Sequence, residues 1–115
     1  MILRKEIWSA QAEQILKPAL CGDERIIADE VARGVSELYS ANGGHLFVVL
    51  RAEGDELVIV AVAGKGLLEF GRWIFQRARD QGYESIRYHT QRPALHRLLR
   101  EFAPRPLEYV ARIDL

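Results

Sequence analysis

Apolar positions change their spacing several times along the chain, and each change predicts an element. The first seven residues, MILRKEI, alternate loosely and predict a first strand. From Ser9 to Leu20 the spacing turns helical, with Ala12, Ile15, Leu16 and Ala19 on one stripe and Ser9 placed as the cap. Trp8 stands where a hydrophobic staple packs back on the helix, and Pro18 limits or kinks the helix near its end. Gly22-Asp23 punctuates. Ile27, Val31, Val35 and Leu38 then predict a second helix over about Glu24 to Tyr39, stopped by Asn42-Gly43-Gly44.

The next two runs, HLFVVL from His45 and LVIVAVA from Leu57, flank the polar turn Ala52-Glu53-Gly54-Asp55-Glu56 and predict a hairpin. The second run is wholly apolar, as in a strand covered on both faces. Leu67 to Gln81 is the strongest helical pattern: Leu67, Phe70, Gly71, Ile74, Phe75 and Ala78 share one face, and Arg72, Arg79 and Asp80 face water. Trp73 falls at the edge of that face, which predicts a half-buried packing residue or, alternatively, a partner contact. SIRYH, from Ser85 to His89, predicts a strand, and the long helix before it predicts a parallel crossover. A last helix opens at Pro93 with Ala94, Leu95, Leu98, Leu99 and Phe102 inward, and Leu107 to Ile113 predicts a final strand.

Length and charge narrow the picture. With 115 residues the chain suits one domain, residues 1–115. No apolar run approaches membrane length, and the apolar start is too short for a signal peptide, so a cytoplasmic location is expected. Cys21 is the single cysteine and reads as a small residue near a helix junction. Net charge is zero, but residues 65 to 115 hold ten Lys or Arg against six Asp or Glu. That excess is too mild to predict nucleic-acid binding. A protein partner or self-association is expected, if anywhere, at Trp73 and the Arg72, Arg92, Arg97, Arg100 surface.

The candidate chemistry lies where the second hairpin run gives way to the long helix, at Gly64-Lys65-Gly66. Unpaired amides and partial positive charge at a helix start suit an anion, and glycines let one come close. The turn is too short for a P-loop and lacks the spaced glycines of a dinucleotide fingerprint. Two helices, a hairpin feeding a glycine turn and a long helix, then strand, helix and strand, resemble the GNAT family of N-acetyltransferases. The stretch PALHRLLREFAP resembles that family's C-terminal helix, with Ala94, Leu98 and Leu99 in comparable places.

The resemblance implies a reduced GNAT-like acyl-CoA acyltransferase fold, mixed α/β. About five strands with helices on both faces are expected, in the order β-α-α-β-β-α-β-α-β. It implies acetyl-CoA held by Val62, Ala63, Gly64, Lys65, Gly66 and Leu67, with Leu68 also opening the helix and an oxyanion donor near Val62 or Ala63. His89, at the end of a parallel strand, is the candidate base; Tyr88 is a lesser candidate. His45, His89 and His96 have no metal-ligand spacing, so no metal is expected. Departures from the family are plain. Only two strands are found where the family's meander has three before the glycine turn. Ala61 stands at the motif's first polar position, Leu99 at the usual tyrosine, and Ala103-Pro104 at the usual Gly-Phe. Small proteins resembling this family occur in phages and prophages. The alternative to an acetyltransferase-like protein of that type is therefore a non-catalytic, protein-binding or virion-associated one that keeps the fold.

Overall fold

The computed structural model describes residues 1–89, 97, 99–107 and 110–115. Strand β1 (Arg4–Glu6) leads into helices α1 (Ala10–Leu20) and α2 (Glu24–Ala32). Three antiparallel strands follow, β2 (Glu37–Ala41), β3 (Leu46–Glu53) and β4 (Glu56–Gly64). Helix α3 (Leu67–Asp80) crosses over to β5 (Ser85–His89), which pairs with β4 in parallel, as the crossover length predicts. The chain ends in β6 (Arg105–Leu107) and β7 (Val110–Asp114), giving a sheet ordered β1-β2-β3-β4-β5-β7-β6.

The expectation of about five strands is corrected to seven among the described residues. One extra strand, β2, comes from the second predicted helix, which ends at Ala32 instead of Tyr39. Gly34 explains the stop. It takes the left-handed φ of 75°, its amide donates to the Val31 carbonyl, and the Val35 amide reaches back to the Glu30 carbonyl. Those paired bonds close a helix C-terminus and turn the chain out. Val35 is left exposed, and Leu38 is buried as a strand residue. The antiparallel meander that leads into the glycine turn therefore has three strands, β2 to β4, where two were expected. The other extra strand is β6. The helix expected from Pro93 lies outside the described residues, with Arg92, Ala94, Leu95, His96 and Leu98, apart from Arg97 and a 3-10 turn at Leu99–Phe102.

Two apolar layers sandwich the sheet. On one face α1 buries Ala12, Leu16 and Leu20, and α2 buries Ile27, against Leu38, Phe47, Val49, Ala61 and Ala63. Ser9 caps α1 as expected, its hydroxyl accepting from the Ala12 amide at 3.1 Å. Trp8 packs beside it and donates to Glu13. Cys21 ends α1 in a left-handed, exposed position between the two helices. On the other face α3 lays Phe70, Ile74 and Ala78 on Leu46, Val48, Ile59, Val62, Ile86 and Tyr88. Phe102 stacks on Phe75 at 4.2 Å, which fixes the 3-10 turn to this same face.

Because nothing lies within 4 Å of a side chain added at Gly34, a Gly34→Ala change meets only backbone strain. We expect it to lower stability by about 1 kcal/mol in urea denaturation. An unchanged midpoint would show that the left-handed cap does not set the helix end.

Candidate functional site

Strand β4 pairs with β3 to its last residue, Gly64 opposite Leu46. The Lys65 amide then donates to the His45 carbonyl at 2.8 Å, and Asn42 Nδ2 donates to the Lys65 carbonyl at 2.9 Å. Gly64 has φ 124°, and a Cβ there would lie 2.1 Å from the His45 oxygen. Gly66 has φ 91°, and its Cβ would lie 2.5 Å from Asn42 Nδ2. Gly64 is thus required by backbone packing, and Gly66 by its left-handed φ, with the movable Asn42 side chain above it. What the turn leaves free is the start of α3. Gly66 occupies the cap position, has no side chain to cap with, and accepts only from the Phe70 amide. The first-turn amides of Leu67, Leu68 and Glu69 therefore lack a side-chain cap, and Lys65 beside them is exposed. Amide donors at a helix start next to a cation form a donor set that fits phosphate oxygens.

A second feature lies just before the turn. Pairs between β3 and β4 run Val49 with Ala61, then Leu50 with Ile59, so Val60 is an extra residue on β4. This bulge shifts the phase of the strand. Leu57 and Ile59 face α3 before it, and Val62 does so after it, while Ala61 and Ala63 face α1. The parallel pairing of β4 with β5 stops at the same place, at Ile59 with Tyr88. Among the described residues, no strand lies across from Val60 to Gly64 on that side. The two strands part there, and β4 beyond Ile59 has no strand partner on that side among the described residues, although Ala61, Val62 and Ala63 themselves are buried. An extended chain carrying amides fits such an edge.

His89 is one residue past the last parallel pair, at the mouth of the parting, paired through its backbone with Val110 and exposed. Tyr88 points the other way and is fully buried, and burial pushes its hydroxyl up to about 12. A ring so placed packs in the core.

Below the parting, charged side chains bridge the strands. Arg51 spans Glu30 and Glu53, and Arg87 spans Glu53 and Glu56. Glu56 also accepts from Arg112 and from the Ser85 hydroxyl. The Arg112 hydrogen bond, above all, holds the Glu56 carboxyl below its ordinary value despite the opposing effect of burial. Glu53 is lowered in the same way, chiefly by Arg51. Sequence reading places Glu53 and Glu56 in a solvated turn; they are strand residues that join β3, β4, β5 and β7.

Val62 to Leu67 thus form one continuous edge and turn, with His89 beside its lower end. His45 takes part through its carbonyl. Trp73 is half-buried against the α3-side core, which is the packing role, and Arg72 pairs with Glu101 at 3.2 Å. Arg97 and Arg100 are exposed. Sequence reasoning missed Asn42, whose side chain holds the turn. The signal was the Asn-Gly-Gly run, which marks a left-handed asparagine followed by a tight turn. It also missed the bulge, since an all-apolar strand conceals a shift of phase.

No known protein-family profile matches the chain, and no curated protein matches it. Solved structures do. A Bacillus subtilis acetyltransferase in complex with CoA is 16% identical, with TM-score 0.65, over 98% of this chain and 97% of that one. The ribosomal-protein-S18-alanine N-acetyltransferase of Escherichia coli is 12% identical, with TM-score 0.61, over 99% and 96%. A chain of the AtaT–AtaR complex bound to DNA is 11% identical, with TM-score 0.52, over 99% and 94%. At these identities the likeness establishes the fold: a mixed sheet with flanking helices of GNAT-like topology, over nearly the whole chain.

Proposed function

We propose that the chain binds an acyl-CoA and acts as an N-acetyltransferase. The observation that carries this reading is the coincidence of three features at one end of the sheet. They are the uncapped start of α3 with Lys65, the strands parting at Val60, and His89 at the mouth of the parting. When bound, acetyl-CoA would supply the thioester: the amine nitrogen would bond to the acyl carbon, the C–S bond would break, and the CoA thiolate would leave and take its proton from water. The amides of Leu67 and its neighbours, with Lys65, hold the phosphates. The unpaired side of β4 near Val62 and Ala63 would hold the chain of the cofactor and offer a backbone donor to the acyl oxygen. His89 takes the proton from the incoming ammonium. The fold shared with a CoA complex supports the assignment.

Calorimetric titration with acetyl-CoA tests the binding. We expect saturable binding, weakened about tenfold or more in Lys65→Glu, which replaces attraction with repulsion at the phosphates. No heat at millimolar acetyl-CoA would defeat the proposal. Turnover is tested on a panel of amines, where His89→Ala is expected to lower the rate by about a hundredfold while leaving acetyl-CoA affinity unchanged. A second reading, binding without turnover, is favoured by Leu99, which offers no hydroxyl where the family's tyrosine stands. Acetyl-CoA binding with no transfer to any amine would establish that one instead.

A further inference from the structure

The second half of α3 leaves a groove of about 800 Å³ against the sheet, beyond the part of the face that the helix covers. Tyr39, Leu50 and Leu57 form its floor, and Trp73, Ile74 and Arg77 its helical wall. The exposed side chains of Ile2 and Val35 stand on its opposite rim. The volume falls in the range of small-molecule sites, and the lining sets aromatic and aliphatic side chains beside charged ones such as Glu37, Arg51 and Arg77.

Its charges are unequally engaged. Arg51 is taken up by Glu30 and Glu53. Glu37 accepts from the Tyr39 hydroxyl and lies 3.8 Å from Lys5. Burial, and then the Glu37 carboxylate, push Tyr39 up to about 12, so it remains a neutral donor. Arg77 forms no ion pair with any described residue, and it lines the groove one helical turn from Trp73. Ten residues separate Arg77 from the start of α3, about 15 Å along a helix. The groove is therefore separate from the glycine turn.

We propose that this groove is a second ligand site, for a small carboxylate carried on an aromatic or branched apolar body. The carboxylate pairs with Arg77, whose planar fork matches two oxygens, and the body lies on Trp73, Tyr39 and Leu57. The proposal goes beyond acyl-CoA binding and does not rest on it.

The two tryptophans make the test direct. Trp8 packs on the α1 side of the sheet, so in Trp8→Phe the fluorescence comes from Trp73 alone. Titration of that variant with 4-phenylbutyrate is expected to shift the Trp73 emission saturably, with a dissociation constant on the order of 1 mM or below. 4-Phenylbutanol, with the same body and no charge, is expected to bind at least about tenfold more weakly, and Arg77→Gln to weaken phenylbutyrate by a similar factor. Calorimetry on the unmutated chain should give the same order of affinities, which frees the result from any effect of Trp8→Phe on folding. No saturation by 10 mM, on the order of ten times that constant, would overturn the proposal. So would equal binding of the alcohol, an unchanged affinity in Arg77→Gln, or competitive displacement of the probe by acetyl-CoA.

Discussion

Replacing Gly64 by alanine is expected to cost about 4 kcal/mol, a large share of the stability of a domain this size. Two separate penalties meet at this position. The left-handed φ of 124° strains any residue with a Cβ, by roughly 1–3 kcal/mol. The new Cβ would also sit 2.1 Å from the His45 carbonyl oxygen and 2.7 Å from the Leu46 Cα. Those are backbone atoms held by strand pairing, so they cannot swing aside, and overpacking adds a similar amount. Gly66→Ala serves as the comparison. Its clash is with the Asn42 side chain, which can rotate away, so it should cost distinctly less. Urea denaturation of both variants checks the order. A Gly64→Ala chain within about 1 kcal/mol of the parent would mean that β3 and β4 separate easily at their ends.

The second large effect is expected from Glu56→Ala. The Glu56 side chain is only 12% exposed and is met by Arg87, Arg112 and Ser85 from two other strands. Its removal leaves those donors without their shared acceptor, at a cost of about 2 kcal/mol near neutral pH. The dependence on pH has a definite sign. The folded chain holds this carboxyl below its ordinary value of 4.5, so its contribution is complete above that value. It is lost as pH falls through the lower, folded value. The gap between parent and Glu56→Ala should therefore narrow in acid, as measured by denaturation at neutral pH and again below pH 4, roughly half a unit under that ordinary value. A gap of the same size at both would assign the effect to packing instead of charge.

Much of the architecture was legible because particular residues left little choice. The apolar run to Ala63, the glycine turn and the amphipathic pattern from Leu67 determine β4, α3 and, through the crossover, the parallel β5. The errors have equally local causes. Val31, Val35 and Leu38 keep a helical spacing by coincidence, while Gly34 between them ends the helix; the strand that starts at Glu37 alternates through Leu38 and Ser40. The glycine turn was legible as a place, but the function of its glycines was not. Their close contacts are with His45 and Asn42, some twenty residues earlier in the chain, and only tertiary pairing brings those segments together. The ladder of charges was hidden for the same reason. Glu53 and Glu56 look like ordinary turn residues until β5 and β7 arrive beside them with Arg87 and Arg112.

The parting of β4 from β5 has a mechanical consequence. The strands β1 to β4 form one plate, and β5, β7 and β6 form another. In the sheet the plates share only the four pairs from Glu56 with Ser85 to Ile59 with Tyr88. Such a sheet is built like a clothes peg. The jaws lie at the Gly64 end, and the four pairs form the closed end of the peg. Glu56 sits there and grips both neighbouring strands of the second plate through Arg87 and Arg112. The same carboxylate that stabilises the fold therefore also clamps the two plates together at their closed end.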